Sequence, residues 1–217
     1  MTLQEAVKER HSVRNYRDME IEQSLVDQLE EKIKTCNEEG NLHLQFVKDA
    51  GNTFNRLLNK AMGLGSAPSV IACIGLDDET LDERVGYYGQ QVVLLAQQLG
   101  LNTCWAGTFN PKNVKATIGA GERLVIVIAI GYGVNNGRDR KSKTFEKVTK
   151  GDGNYPKWFV DGVEAALLAP TAINQQKFVI VLENETVKIE NKGGVMGKVD
   201  LGIVKYNFEV GSGKKIY

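Results

Sequence analysis

Four short stretches of the chain bring chemistry-bearing side chains together. Arg10-His11-Ser12-Val13-Arg14 places two guanidinium groups and a hydroxyl on one short segment. Guanidinium forks match phosphate or carboxylate oxygens in pairs, and a serine adds a neutral donor. Alternate residues of an extended segment point one way, so Arg10, Ser12 and Arg14 can face one ligand. The ordinary alternative is a solvated basic loop. In Ala169-Pro170-Thr171-Ala172-Ile173-Asn174-Gln175-Gln176, the carboxamides of Asn174 and Gln176 both donate and accept. That suits the mixed polar edge of a uracil-like ring, or else an ordinary helix–strand connection. Leu99 to Gly107 ends in Trp105-Ala106-Gly107, where small residues let backbone approach a flat ligand. Its alternative is a helix cap followed by a buried strand. Arg138, Arg140, Lys141 and Lys143 form a charge run suited to a single phosphate or to solvent.

Composition narrows the partners. The chain has 217 residues with Lys+Arg 27 and Asp+Glu 27, a net charge of zero. That excludes a globally basic nucleic-acid binder and an acidic tail protein, and no aromatic residues interleave the basic run. Hydrophobic residues make up 42%, enough for a sizeable core. There are 23 glycines but 4 prolines, a balance pointing to tight turns and close ligand approach rather than low complexity. Cys36, Cys73 and Cys104 are far apart and lack a C-x-x-C spacing, which argues against a disulfide framework or a zinc site. The N-terminal MTLQEAVKERHS has no apolar core, and the longest apolar run, Leu124 to Ile130, is far short of a membrane helix. The expectation is a soluble cytoplasmic protein with no nucleic-acid or membrane partner.

The elements that must position these residues follow from periodicity. Thr2-Leu3-Gln4-Glu5 is a capping box, predicting a helix over Leu3 to Glu9. A second helix is capped by Ser24, with Leu25, Leu29, Ile33 and Cys36 inward. Leu42 to Val47 alternates as a strand, and Phe54, Leu57, Leu58 and Ala61 suggest a helix. Ser69 to Gly75 and Leu124 to Tyr132 read as buried strands, with Asn102 to Trp105 a shorter one. Leu81 to Leu99 is a long helix, apolar nearly all round at Val92 to Ala96 and ended by Gly100. Asn110-Pro111 opens a short helix to Ile118. Beyond Pro156 come a helix over Trp158 to Ala169, strands at Lys177 to Leu182 and Thr186 to Ile189, and a helix from Val199 to Val210.

Helix, strand and long helix thus occur twice. Residues 25–48 share a layout with 160–183, and more loosely 83–100 with 198–211. The period is far too long for a solenoid. Chance similarity between two helix–strand units is the alternative to an internal repeat.

The four motifs together resemble the flavin-dependent nitroreductase family. Arg10-His11-Ser12-Val13-Arg14 matches its R-[RH]-S-x-[RK] motif, and Leu99 to Gly107 its L-G-L-x-T-C-W-x-G segment. Gly131-Tyr132 with Lys141-Ser142-Lys143 matches its G-Y strand end and basic segment. Pro170, Thr171, Asn174 and Gln176 match its P-[ST]-x-x-N-x-Q loop. That loop ordinarily follows the first helix–strand unit, where this chain has Cys36 to Asn41 instead. Lys177-Phe178 also replaces the usual Pro-Trp.

The resemblance implies an α+β (α/β sandwich) nitroreductase-like fold, with a mixed, mainly antiparallel central sheet flanked by helices and a pseudo-two-fold second arm. Residues 1–150 would be the larger arm and 151–217 a shorter repeat completing the site. Such a chain imitates the family's dimer and would be a monomer holding one FMN. The implied contacts are Arg10, Arg140, Lys141 and Lys143 at the phosphate, and Ser12 and Arg14 at the ribityl chain or pyrimidine edge. Asn174 and Gln176 would hold the ring's polar edge, beside Pro170, Thr171 and Ala172, with Trp105, Ala106 and Gly107 near the reactive nitrogen. His11 would be a fixed contact beside the phosphate, with a proton donor as the alternative, and no side chain need act as nucleophile. The implied activity is ping-pong hydride transfer from NAD(P)H, a transient reductant, to a small-molecule acceptor such as a quinone or nitroaromatic. Alternatives are an oxygen-using enzyme that consumes reduced FMN, a flavin-binding or sensing protein without turnover, and a scaffold with a decayed site.

Overall fold

A computed structural model describes residues 1–54, 64–151 and 153–216. Among these residues the helices are α1 (Leu3–Glu9), α2 (Gln23–Gly40), α3 (Leu81–Gln98), α4 (Phe145–Val148), α5 (Lys157–Leu167) and α6 (Gly197–Ser212). The strands are β1 (Gln45–Val47), β2 (Ser69–Leu76), β3 (Asn102–Ala106), β4 (Glu122–Gly131), β5 (Thr149–Lys150), β6 (Phe178–Glu183) and β7 (Thr186–Asn191). Among the described residues, no helix is long and apolar enough to cross a membrane.

One antiparallel sheet has the order β1-β2-β4-β3. Its central strands β2 and β4 are covered on both faces, which is why they read as continuous apolar runs. On one face Ile71, Cys73, Ile126, Ile128 and Ile130 join the core under α2, α3 and α6. On the other, Val70, Ala72, Ile74, Val127 and Ala129 pack with Val13, Tyr16, Leu64 and Cys104. A second sheet, β5-β6-β7, is antiparallel between β6 and β7 and parallel between β5 and β6.

Helix α3 lies between the first sheet and α6. Its contact with α6 is backbone against backbone. A Cβ on Gly86 would run into the Val199 carbonyl and come 3.1 Å from the Ile203 nitrogen. A Cβ on Gly202 would run into the Glu83 carbonyl and come 2.5 Å from the Tyr87 nitrogen. The relation is reciprocal: each glycine meets the residue three before and the residue one after the other. On its far side α6 packs against α5, where Gly162 leaves room for the Phe208 ring.

Several boundaries differ from expectation. The α1 capping box forms with both of its hydrogen bonds. Helix α2, however, starts at Gln23 with Glu22 at the cap, so Ser24 lies inside it. It also continues past Cys36 to Gly40, where Asn41 ends it in the left-handed region at φ 46°. The helix expected from Asn110 to Ile118 is one turn, Pro111–Asn113. Beyond it the chain extends: Val114 and Ala116 pack inward at a spacing of two, and Thr117 exchanges hydrogen bonds with the Gln45 side chain at 2.6 and 3.0 Å. The helix suggested from Phe54 to Ala61 lies, beyond Phe54, outside the described residues.

Candidate functional site

The Arg10–Arg14 segment leaves α1 and runs beside β3. Ser12 bridges Thr103 in parallel, and the Val13 N–H donates to the Thr103 carbonyl at 3.0 Å. Val13 points into the core, fully buried. Alternation therefore turns Ser12 and Arg14 the other way, into a cavity of about 820 Å³. The end of β3 (Trp105, Ala106) and the following Gly107 form another part of the wall. Pro170, Thr171, Ala172, Ile173 and Asn174 line it from beyond α5, and Arg138, Asp139 and Arg140 from the basic segment.

The basic segment is pinned between these walls. The Arg140 Nη2 donates to the Arg10 carbonyl at 3.2 Å, and Ser142 Oγ to the Leu167 carbonyl at 3.2 Å. Asn174 Nδ2 donates to the Lys141 carbonyl at 2.7 Å. Lys141 and Lys143 themselves stand outside the lining. Lys143 Nζ donates to the Gln176 carbonyl at 2.6 Å, while the Lys143 N–H donates to Gln176 Oε1 at 2.7 Å. Gln176 is 1% exposed, and its Nε2 donates to the Leu167 carbonyl at 2.8 Å. Its carboxamide thus fastens the loop instead of facing the cavity, unlike that of the lining residue Asn174. His11 also lies off the lining, its ring 3.2 Å from Asp139 Oδ1.

Arg10 has an unusual setting. It is 1% exposed and stands outside the cavity lining; among the described residues its Nε and Nη2, like the buried Nε of Arg140, have no hydrogen-bond partner. Burial, with repulsion from Arg140, brings the Arg10 guanidinium down to about 9. Burial likewise lowers Arg140 and raises the Cys104 thiol. Two cationic groups with orphaned donors are thus packed beside each other, an arrangement that favours an anion.

The sequence reading missed the wall given by the start of α6. Val195, Met196, Val199, Asp200 and Ile203 all line the cavity. Asp200 is 8% exposed; it accepts from the Ala172 N–H at 2.9 Å and from Gln175 Nε2 at 2.8 Å. Burial raises its pKa against those two bonds. Gln175 Nε2 also reaches the Val195 carbonyl at 2.8 Å, and a Cβ on Gly194 would collide with Gln175 Oε1. The Gly193-Gly194 pair, at φ 81° and 99°, was the available signal for this junction. A second clasp holds the loop after α2: Arg84 Nη1 donates to the carbonyls of Gly40 and Asn41 at 2.6 and 2.7 Å. There the Tyr88 ring covers Gly40, and no room is left for a Cβ.

Residues 2–212 match the family described as "Putative TM nitroreductase". The chain belongs to this nitroreductase family. No protein with a curated description matches it. Among solved structures, a Thermotoga maritima protein described as a putative nitroreductase aligns with TM-score 0.70 at 23% identity, covering 97% of this chain and 83% of that one. An FMN-dependent nitroreductase from Clostridium difficile aligns with TM-score 0.50 at 19% identity, covering 66% and 92%. A mutant of an FMN- and NADPH-dependent nitroreductase from a "sphigopyxis" strain aligns with TM-score 0.56 at 15% identity, covering 71% and 100%. The fold is nitroreductase-like, with mixed helices and antiparallel sheet.

The cavity lip is strained. Ile173 sits in the left-handed region at φ 47° and is 88% exposed, followed by Asn174 at φ 55° and Gln176 at φ 45°. A β-branched residue there costs about 1–2 kcal/mol, whereas asparagine tolerates it. Ile173→Asn is therefore expected to raise the ligand-free melting temperature by about 2–4 °C, the equivalent of about 1 kcal/mol at this size. Thermal unfolding of the two proteins checks it. An unchanged or lower midpoint would mean that the exposed Ile173 side chain contributes more than its strain costs.

Proposed function

We propose that this cavity binds FMN and that the protein is an FMN-dependent NAD(P)H oxidoreductase. The observation that carries the reading is a pair of adjacent guanidinium groups with unpartnered donors: Arg140, half-buried in the cavity lining, and the fully buried Arg10 packed beside it. A phosphate dianion supplies the countercharge both lack. Ser12 and Arg14 then serve the ribityl chain or the pyrimidine edge, and Asn174 offers its carboxamide carbonyl to the ring while its Nδ2 holds Lys141. Trp105, Val199 and Ile203 give the flat body of the ligand an apolar surface and exclude water from it. Ala106 and Gly107 allow a close backbone approach, with the nearest side-chain atom to a Cβ on Gly107 being Met196 Cγ at 3.8 Å. When bound, FMN supplies the redox chemistry: its ring accepts hydride from NAD(P)H and passes the electrons to an acceptor such as a quinone or nitroaromatic. A cation such as Arg14 near the pyrimidine edge stabilises the reduced ring's negative charge.

On this reading one chain does the work of two subunits. The reciprocal Gly86/Gly202 contact is what a pseudo-two-fold between arms 1–150 and 151–217 would produce. The two clasps fit it too, because Arg84 holds the loop after α2 and Asp200 the loop after α5, the two helices whose segments share a layout in the sequence. The two FMN-dependent relatives, which this chain covers almost completely, account for 66% and 71% of it. A monomer with a single open cavity follows, since Tyr88 fills the corresponding place near Gly40.

The test begins with binding. Purified protein supplied with FMN is expected to retain it through gel filtration at one flavin per chain. NADH or NADPH added without oxygen should bleach the yellow colour, and a quinone should restore it. Retention without bleaching would leave a flavin-binding protein and remove the reductase. No retention would remove FMN.

A further inference from the structure

A line of buried amides crosses the apolar interface between the arms. Trp105 Nε1, in the cavity wall, donates to Gln90 Oε1 at 3.3 Å. Gln90 Nε2 donates to Asn207 Oδ1 at 2.9 Å, and Asn207 Nδ2 to the Ala165 carbonyl at 3.1 Å. The line therefore runs β3, α3, α6, α5. Gln90 is 0% and Asn207 1% exposed, and neither lines the cavity.

The polarity of this line is forced. An indole N–H can only donate and a carbonyl can only accept, so the two carboxamides between them have one permitted orientation each. A chain of bonds all pointing one way is mutually polarising. It also comes at a site where leucine would pack more simply. The indole is held from a second side as well: a Cβ on Gly89 would lie 2.6 Å from Trp105 Cη2, so the ring rests on the α3 backbone. The far end of the line, Ala165, sits in the last turn of α5, directly before the 170–174 loop that forms the opposite wall.

We propose that Gln90 and Asn207 are positioning residues that fix the Trp105 indole in the wall of the ligand cavity and so tune how tightly FMN is held. The ligand part of this rests on the FMN reading above; the positioning part does not. Because both amides are remote from the cavity, they reach a ligand through Trp105.

The experiment starts from Trp158→Phe, which leaves Trp105 as the remaining tryptophan of the two in the sequence. Hydrogen exchange of the indole N–H is followed by NMR without ligand, and FMN affinity by flavin fluorescence. Gln90→Met and, separately, Asn207→Leu are expected to speed indole exchange by about tenfold or more and to weaken FMN binding by about three- to tenfold. In a Trp105→Phe background the effect of Gln90→Met on affinity should shrink below about twofold, since coupled residues fail to add. The double variant Gln90→Met/Asn207→Leu removes both facing carboxamides, keeps the interface apolar, and serves if either single variant does not fold. Unchanged indole exchange in the variants overturns the positioning role. An equal loss of affinity with and without the Trp105 indole overturns its route to the ligand. If the starting protein binds no FMN, the FMN reading falls, and indole exchange alone decides the positioning.

Discussion

Arg10→Met is expected to weaken FMN binding about 10- to 100-fold while making the ligand-free protein more stable. The two effects have opposite signs because one guanidinium serves both states. In the ligand-free protein it is a buried cation beside a second cation, with two of its nitrogens unpartnered. Methionine fills similar volume without that desolvation cost. With FMN bound, the same variant loses a charge-assisted contact worth about 1.5–3 kcal/mol, hence the affinity range. A role in folding alone would give lower stability and unchanged affinity. Fluorescence titration and urea unfolding of the two proteins separate the cases.

Gly202→Ala is expected to cost about 3 kcal/mol or more, the largest stability loss among these predictions. Overpacking a core usually costs about 1–3 kcal/mol, because side chains can shift. Here the atoms in the way are the Glu83 carbonyl and the Tyr87 nitrogen, both backbone within α3. Relief requires α3 and α6 to separate, along with the apolar contacts on either side. Gly86→Ala should cost a similar amount against the Val199 carbonyl, and the double variant should cost less than the sum. Gly213→Ala is the control at a helix end: φ is 69° but nothing stands within 4 Å, so the loss should stay near 1 kcal/mol. Equal costs at Gly202 and Gly213 would mean that the helices yield. Urea unfolding measures all of these.

The sequence carried the fold's inner elements well, for a physical reason. Strands β2 and β4 are covered on both faces and helix α3 nearly all round, so their residues have little choice but to be apolar. The capping box of α1 is local chemistry and was equally readable. Chain between Asn110 and Ile118 was misjudged because its cap is helical while its later contacts are extended. Asn110 does cap a turn, but Val114 and Thr117 answer to the first sheet, which no local pattern announces. The site divides the same way. Ser12, Arg14, Gly107, Arg140 and Asn174 follow from motifs and line one cavity. Gln176 and Lys143 carry the right chemistry but use it on each other. Asp200 and Met196 were invisible because their place in the wall depends on how α6 crosses α3, a property of two distant segments at once.

The unlike clasps at Arg84 and Asp200 have a consequence for how such a protein can change. A symmetric dimer inherits every mutation twice, so a substitution that suits one loop is imposed on its mate. On the pseudo-dimeric reading proposed above, two arms in one gene are freed from that constraint. One loop is a sealed joint, held by a cation gripping carbonyls beneath Tyr88. The other, gripped by an anion that takes up an N–H and a carboxamide, borders the cavity. Halving the number of sites would, on that reading, open the way to independent drift: the sealed half could evolve for sturdiness while the open half alone answers to the ligand.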